Sequence, residues 1–394
     1  MQGDNNRTAR PGPAAARRVA IKVGTRVLTD GPQGSSAAQI ASLVRDAAAA
    51  VREGREVILI SSGAVGLGQS ALGLQEPVTE LVDRQACAAV GQSRLMSLYQ
   101  GCFAAEGMLC AQVLLTEADF EDRIRYLNLR GTLAALLRRG CIPIINENDV
   151  VSNEGLAYLE GDERPIFRDN DRLAALVASK LDAGLLILLT DVSGLYDRDP
   201  NLHPQAQLLE RVDASDEDGV AALAGGPGPG GRGGMKSKVL AAAIAARAGA
   251  HAIIASGKDP NNLSRILNGE PIGSWFPARG ALPARQRWIG YAAAPRGTLQ
   301  LDQGAVEALR ERGASLLAVG VCKVQGDFLA GDVVELHDPD GQLIGRGMCY
   351  CDAAEARLWR AGQRPAGARN HHALVHRDLL VLFPQVADRG DSCT

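Results

Sequence analysis

Short apolar runs and helix-like stretches alternate along the first two thirds of the chain. Six runs of five to seven residues read as buried strands; they lie at 19–23, 56–60, 109–115, 141–145, 185–189 and 251–255. Three stretches between them have helical spacing and end at a glycine, at 37–54, 125–140 and 171–184. Apolar strands alternating with helices predict an α/β fold with a mostly parallel sheet sandwiched by helices.

The pattern changes after residue 272. Residues 273–287 are rich in proline, glycine and arginine, which predicts a linker. Short apolar runs between turns follow, and the DPDG sequence at 338–341 predicts a hairpin. This part predicts a small β-barrel-like second domain. The predicted organisation is a disordered tail at 1–17, the α/β domain at 18–272, the linker, the β domain at 288–386 and a second tail at 387–394.

Composition narrows the class of protein. A net charge of −3 over 394 residues argues against a dominant nucleic-acid footprint. The eight cysteines include no C-x-x-C pair, which is typical of reduced thiols rather than disulfides or zinc ligands. The longest apolar run, 183–189, is too short to span a bilayer, and the N-terminal stretch has no apolar signal segment. We therefore expect a cytoplasmic protein that is not attached to a membrane.

Polar or glycine-rich clusters follow several predicted strands, where parallel sheets collect backbone donors and helix N-termini. Such clusters lie at 21–28, 61–68, 145–151, 168–177 and 188–200. Each has a structural alternative as well: a turn, a lysine at a strand edge, or a cap on the following helix. Their coincidence at strand ends favours a ligand site.

A sixth cluster, GGRGGMKSK at 230–238, is dense in glycine but does not fit the P-loop pattern. We expect its backbone N–H groups to wrap phosphates and a helix to begin near Met235. Helical spacing groups Lys236 with larger apolar side chains and Lys238 with alanines, which slightly favours Lys236 as the inward-facing residue. The spacing alone leaves the choice open.

Taken together, these motifs resemble the amino acid kinase family. The resemblance covers roughly residues 18–275 and rests on K-V-G-T, S-S-G-A-V-G-L-G, I-N-E-N-D, D-N-D, L-L-T-D-V-S-G-L-Y and G-G-M-K-S-K. AAVGQSRLM at 88–96 and QVLLTEADFEDRIRYLN at 112–128 most resemble the branch that phosphorylates the γ-carboxylate of L-glutamate. The part from about residue 288 resembles a PUA domain.

The resemblance implies an ATP-dependent kinase that makes L-glutamyl 5-phosphate, the first step of proline biosynthesis. It further implies Mg²⁺ bound mainly through ATP rather than by a protein metal site, feedback inhibition by proline, a homo-oligomer (dimer or tetramer), and weak RNA contact through the PUA domain. The implied catalytic residues are Lys22, Lys238 and Asp171. The implied glutamate-binding residues are Ser62, Gly63, Ala64, Asp149 and Asn170. The implied ATP-binding residues are Lys22, Gly24, Thr25, Thr190, Asp191, Arg232, Gly233, Gly234, Met235, Lys236, Ser237 and Lys238.

Three arginines depart from the family pattern. Arg26 stands where serine or asparagine is usual, Arg168 where glycine is usual, and Arg232 where threonine is common.

Two competing functions also stay open: another small-molecule kinase of the same family, or an RNA-binding or RNA-modifying protein that acts through the PUA domain. Phosphoryl transfer to an ionised carboxylate needs little general-base help, so the lack of an obvious catalytic His or Cys agrees with the kinase hypothesis.

Overall fold

The computed structural model describes residues 10–28, 36–151, 170–200, 202–213, 234–259, 261–279, 286, 289–290, 293, 295–363 and 373–383. The chain divides into two compact units. The larger unit contains residues 1–120 and 124–281, and the smaller contains residues 121–123 and 282–394. Within the described residues, every helix is too short or too polar to traverse a lipid bilayer.

The larger unit is built on a seven-stranded sheet in the order β3-β4-β2-β1-β5-β6-β7. Its strands are β1 Arg18–Val23, β2 Glu56–Ser61, β3 Cys110–Leu115, β4 Ile142–Glu147, β5 Leu185–Thr190, β6 His251–Ser256 and β7 Ser274–Phe276. Every pairing is parallel except that of β7 with β6. The first six strands confirm the predicted strands to within two residues at each end.

Helices surround this sheet. They are α1 Pro11–Ala14, α2 Thr25–Leu28, α3 Ser36–Arg52, α4 Ala64–Ala71, α5 Leu81–Ala105, α6 Ala118–Glu121, α7 Arg123–Arg138, α8 Asn170–Lys180, α9 Met235–Arg247 and α10 Asn262–Leu267. The sequence pattern did not identify α5, because several of its buried positions are small or polar, such as Cys87 and Gln92. A Cβ atom on its Gly91 would lie 1.7 Å from the carbonyl oxygen of Ala64, so only glycine lets α4 and α5 pack this closely.

The core of this unit follows from its central strands. β1, β2 and β5 are buried on both faces along nearly their whole length, as continuous apolar runs in a covered parallel sheet should be. Ile21, Leu59 and Ile187 are fully buried, and each such side chain contributes about 1.5–3 kcal/mol of apolar burial. The polar clusters thus follow strands that are anchored in the core of this unit.

The predicted N-terminal tail is wrong for residues 10–17. Arg10 is 3% exposed and donates hydrogen bonds to the carbonyl oxygens of Glu210, Ile272 and Gly273 at 2.8–2.9 Å. Proline, glycine and arginine favoured disorder, but a guanidinium group has enough donors to satisfy three carbonyls at once. Residues 1–9 of the predicted tail lie outside the described residues.

Two other boundaries differ from the predictions. Residues 274–276, placed in the linker, form β7, because their backbone pairs with the exposed edge of β6. The third predicted helix ends at Lys180 rather than at Gly184, and Asp182 adopts the left-handed backbone conformation with φ 56°. Aspartate tolerates that conformation better than most residues, so it takes the place expected of glycine.

The smaller unit contains a five-stranded sheet in the order β12-β11-β10-β8-β9. Its elements are β8 Gly297–Leu301, α11 Gln303–Arg312, β9 Val321–Gly326, β10 Val333–His337, β11 Leu343–Cys349, α12 Ala353–Arg360 and β12 Val375–Leu382. β10 and β11 are antiparallel and flank residues 338–341, which confirms the predicted hairpin. The predicted tail at 387–394 lies outside the described residues.

Candidate active site

The polar clusters gather at one edge of the large sheet. Lys22, Ser61, Asn146 and Thr190 occupy the last or next-to-last positions of β1, β2, β4 and β5. These strands are neighbours and parallel, so their carboxyl ends lie side by side. Helix α8 begins at the same edge and supplies two further side chains.

Two lysines share one buried carboxylate at this edge. Lys22 Nζ lies 2.7 Å from Asp171 Oδ1, and Lys238 Nζ lies 3.1 Å from Asp171 Oδ2. Asp171 is fully buried, and the two lysines are 3% and 6% exposed. Residues from β1, α8 and α9, far apart in sequence, thus form one cluster with a net charge of +1.

The start of α9 holds the second lysine in place. Ser237 Oγ donates to Asp171 Oδ2 at 2.9 Å and lies 2.9 Å from the carbonyl oxygen of Gly234, which precedes the helix. Lys236 is exposed, whereas Lys238 is buried together with the alanines of its stripe. The slight preference that helical spacing gave to Lys236 as the inward-facing residue is therefore wrong. The small alanines let α9 approach the sheet closely, so their stripe is the inner one.

Asn170 is the centre of a second polar cluster, next to the lysines. Its Nδ2 donates toward the carbonyl oxygen of Ser61 at 3.0 Å, Ser62 Oγ at 3.0 Å and Asn146 Oδ1 at 2.9 Å. Ser62 and Asn146 are 8% and 3% exposed. One amide group therefore ties together the ends of β2 and β4 and the first turn of α8.

The loop that links β2 to α4 runs beside this cluster. Gly63 has φ 101°, a conformation in which a side chain would be strained, and α4 begins at Ala64. Backbone N–H groups at the start of that helix have no partner within the helix itself. Ser62, Gly63 and Ala64 thus lie where an anionic group of a ligand would find donors.

Asp149 follows β4 and has an unusual carboxyl group. Burial raises the pKa of Asp149, the nearby negative charge of Glu147 raises it further, and Arg84 opposes both, with the result at about 6. A cationic partner within a few ångströms would lower the pKa of this carboxyl group and stabilise its ionised form.

The nucleotide-binding candidates line β1 and β5. Gly24 N donates to Leu189 O at 3.0 Å, which joins the first turn after β1 to the end of β5. Thr190 Oγ1 donates to Asp191 Oδ1 at 3.1 Å, and Arg26 Nη1 pairs with Asp191 Oδ2 at 3.0 Å. Burial raises the pKa of Asp191, but hydrogen bonds from Arg26, its own backbone and Thr190 outweigh it and lower the pKa. Arg26, a departure from the family pattern, thus holds Asp191 ionised.

The remaining predicted residues either lie at helix starts or fall outside the described part of the chain. Thr25 begins α2, while Gly234 and Met235 mark the start of α9. Arg168, Arg232 and Gly233 lie outside the described residues. Among the residues that the structure describes, no group of three His, Cys, Asp or Glu side chains is arranged to hold a metal ion.

Four residues of the site were not among those that the resemblance implied, although Ser61 and Asn146 lie within the predicted clusters. Asn146 and Gln92 bond to each other, with Asn146 Nδ2 donating to Gln92 Oε1 at 2.9 Å. Ser61 Oγ lies 2.9 Å from the hydroxyl of Tyr99, whose pKa burial raises to about 12. Asn146 lies within the I-N-E-N-D motif, so the sequence alone could have predicted it as a site residue. Gln92 and Tyr99 lie on α5, whose position beneath the site only the fold reveals.

Comparison with known proteins identifies the family of each domain. The model of the amino acid kinase family matches residues 17–256, and that of the PUA domain matches residues 297–364. Glutamate 5-kinase of Thermus thermophilus is 44% identical over 380 residues, covering 95% of this chain and 99% of that protein. Glutamate 5-kinase of Deinococcus radiodurans is 45% identical over 373 residues, covering 93% of this chain and all of that protein.

A solved structure, carbamate kinase from Giardia lamblia bound to AMP-PNP, is 16% identical with a TM-score of 0.47, covering 67% of this chain and 99% of that one. The family is shown by the curated relatives, which align over 93–95% of this chain. The chain belongs to the amino acid kinase family, in its glutamate 5-kinase branch, and carries a PUA domain after the kinase domain.

Proposed function

We propose that this chain transfers the γ-phosphoryl group of ATP to the side-chain carboxylate of L-glutamate, which gives L-glutamyl 5-phosphate. One observation carries the proposal: the buried Lys22–Asp171–Lys238 cluster lies next to the Asn170 cluster, on consecutive residues of α8. A phosphate-neutralising group and an amino-acid-binding group are thus neighbours. Relatives named glutamate 5-kinase, similar along the whole chain, support glutamate as the acceptor.

The lysines supply the electrostatic part of the reaction. Negative charge spreads over the oxygens of the transferring phosphoryl group, so fixed positive charges nearby stabilise the transition state. Lys22 and Lys238 carry two such charges on side chains that are only 3% and 6% exposed. The attacking carboxylate is already ionised near neutral pH, so no general base is required.

Asp171 positions the two lysines rather than taking part in bond changes. Its two oxygens each hold one ammonium group, and Ser237 adds a hydrogen bond. Fixed charges cost no reorganisation when the transition state forms, which is the main advantage of a preorganised site. Its negative charge also offsets part of the positive charge of the two buried lysines, and removing one partner of a buried ion pair is strongly destabilising.

Glutamate would bind at the second cluster. Asp149 accepts from the α-ammonium group, which gives its raised pKa a cationic partner. Ser62, Asn170 and the backbone of Gly63 and Ala64 supply polar contacts to the remaining groups of the amino acid. The side-chain carboxylate then points along α8 toward the lysine cluster.

ATP would lie across β1 and β5. Gly24 and Thr25 approach the phosphates from β1, Thr190 and Asp191 contact the nucleoside from β5, and residues 232–238 wrap the phosphate chain. The thirteen-residue helix α9 directs its N-terminal N–H groups toward the same phosphates. Mg²⁺ would enter the site bound to ATP and would supply further positive charge at the transferring phosphoryl group.

An acceptor panel tests this function. The purified chain is incubated with ATP, Mg²⁺ and one acceptor at a time: L-glutamate, L-aspartate, N-acetyl-L-glutamate, carbamate or UMP. Hydroxylamine traps acyl phosphates as hydroxamates, and ADP release reports every other transfer. We expect ADP and hydroxamate in equal amounts with L-glutamate. Turnover with another acceptor at higher kcat/KM than with glutamate would refute the assignment.

The remaining expectations from the resemblance stay proposals. They are inhibition by proline, a homo-oligomeric state, cytoplasmic location and weak RNA contact through the PUA domain. Adding proline to the acceptor assay tests the first, and light scattering of the purified chain tests the second. RNA affinity that equals that of a dedicated RNA-binding protein, and falls with salt, would instead favour the competing RNA hypothesis.

A further inference from the structure

Three side-chain amides form a chain beneath the acceptor site. Asn170 Nδ2 donates to Asn146 Oδ1 at 2.9 Å, and Asn146 Nδ2 donates to Gln92 Oε1 at 2.9 Å. Gln92 is 9% exposed and Asn146 3%, so the inner part of the chain is shielded from water. The chain leads from the first turn of α8 through the end of β4 to the long helix α5.

Backbone groups fix the direction of every amide in this chain. Asn170 Nδ2 faces the carbonyl oxygen of Ser61, which only accepts, so the atom facing it must be the nitrogen. The N–H of Glu147 donates to Asn146 Oδ1 at 2.9 Å, so that atom must be the oxygen. Asn146 therefore presents its nitrogen to Gln92, and Gln92 presents its oxygen to Asn146. Because the amides align head to tail, each bond polarises the next.

The chain ends at a donor without a partner. Gln92 Nε2 is buried, and no acceptor among the described residues reaches it. Burying an unpaired amide donor is unfavourable, and native structures keep few such groups. An apolar side chain of similar length, such as methionine, would avoid this unpaired donor. The presence of glutamine is therefore explained by its oxygen, the atom that engages Asn146.

We propose that Gln92 is a positioning residue for the acceptor amino acid. Its carbonyl oxygen holds Asn146 in one orientation, and Asn146 in turn holds the amide of Asn170 beside Ser62. This inference rests on the proposed function, because it assigns these residues to the acceptor half of the site. Gln92 does not contact the lysine cluster through this chain, so it acts on acceptor binding and not on the phosphoryl-transfer step.

Substitution by methionine removes the acceptor oxygen and keeps the volume. Gln92→Met removes the unpaired buried donor Gln92 Nε2 but takes the acceptor away from another buried donor, Asn146 Nδ2. Because these two effects on stability roughly cancel, the melting temperature should stay within about 3 °C of wild type. The KM for the acceptor should rise about five- to tenfold, the effect of one lost neutral hydrogen bond. The KM for ATP and kcat at saturating acceptor should change less than about twofold.

Two further variants separate positioning from general structure. Gln100→Met makes the same change at an exposed position of the same helix and should leave all parameters unchanged. Gln92→Glu keeps an oxygen that can accept from Asn146. When the buried carboxyl group of this variant is protonated, it has the shape of the glutamine amide. The acceptor KM of Gln92→Glu should therefore approach that of wild type at the same pH as the pH falls from 8 to 6. Gln92→Met has no titrating group there and should show no such return.

The experiment uses whichever panel acceptor the wild-type chain phosphorylates best, so a wrong acceptor refutes the proposed function without removing this test. An unchanged acceptor KM in folded Gln92→Met would overturn the positioning role. So would a chain that fails to fold, or parallel losses in acceptor KM, ATP KM and kcat, since each result would mean that Gln92 supports the structure as a whole.

Discussion

Replacing Asp171 by asparagine should remove the carboxylate that two buried ammonium groups share. In the folded chain each carboxylate oxygen faces one lysine, at 2.7 Å for Lys22 and 3.1 Å for Lys238. An amide can offer one oxygen only, so its NH2 group must face the other lysine, donor against donor. The substitution keeps the shape of the side chain and removes only its charge.

The structure sets the size of the effect. Removing one partner of a buried ion pair costs about 3–5 kcal/mol, and Asp171 is fully buried. For a domain of this size that corresponds to a fall in melting temperature of roughly 6–20 °C. The lysines would also lose their fixed positions, and losing a preorganised charge partner lowers kcat by about a hundred- to thousandfold.

Binding of ATP should respond in the opposite direction. The cluster carries a net charge of +1 with Asp171 and +2 without it, so the polyphosphate should stabilise Asp171→Asn more than wild type. We expect a larger rise in melting temperature on adding Mg²⁺ and ATP to the variant, although its turnover is far lower. A variant that merely loosens the fold would lose both ATP binding and turnover.

Thermal unfolding with and without nucleotide, combined with the hydroxamate assay, measures these quantities. Asp327→Asn, an exposed aspartate in the smaller unit, serves as the matched control and should behave as wild type. Our reasoning would be refuted by a folded Asp171→Asn variant that keeps kcat within threefold of wild type. A nucleotide-induced rise no larger than that of wild type would equally contradict the charge argument.

Four other predictions concern the lysines, Asp149 and the PUA domain. Lys238→Ala should nearly abolish turnover, whereas Lys236→Ala, at an exposed position, should change kcat by less than about fivefold; reversed effects would contradict the assignment. Because the pKa of Asp149 is about 6, its ionised form is lost below that pH, so the KM for glutamate should rise there. Because this pKa is raised, the folded chain binds more protons than the unfolded chain between pH 3.8 and about 6. The free energy of unfolding that Asp149 contributes therefore falls as the pH rises through this window. We expect Asp149→Asn to unfold at a higher temperature than wild type at pH 7.5 but not at pH 4. A chain truncated after Arg285 should keep measurable kinase activity, and a folded but inactive truncation would show that the PUA domain contributes to the site.

The strands were the most predictable part of the fold. A parallel sheet covered on both faces needs runs that are apolar at every position, and such runs stand out in a sequence that otherwise alternates. Helix α5 could not be found in the same way, because glycine and alanine take the places where close packing leaves no room for larger side chains. Arg10 was misplaced for a related reason: its partners are backbone carbonyls, which have no sequence signature.

Within the site, local spacing placed the candidates but could not rank them. It identified Lys236 and Lys238 and slightly favoured the wrong one as the inward-facing residue, because apolar size is a poor guide where a helix packs through alanine. The third member of the lysine cluster, Asp171, read equally well as a helix cap. Only the fold brings β1, α8 and α9 together, and only there does a capping residue become the shared partner of two lysines.

The first turn of α8 joins the two halves of the site. Successive residues of a helix point about 100° apart, so Asn170 and Asp171 can face different clusters although their Cα atoms are only about 3.8 Å from each other. Asn170 reaches Ser62 and Asn146, and Asp171 reaches the lysines. Transfer requires the acceptor carboxylate and the phosphoryl group to meet at about 3–3.5 Å, and two adjacent residues on one rigid turn hold that geometry more tightly than two separate loops could. In the proposed reaction, the covalent geometry of a single helical turn would thus set the separation between acceptor and phosphate.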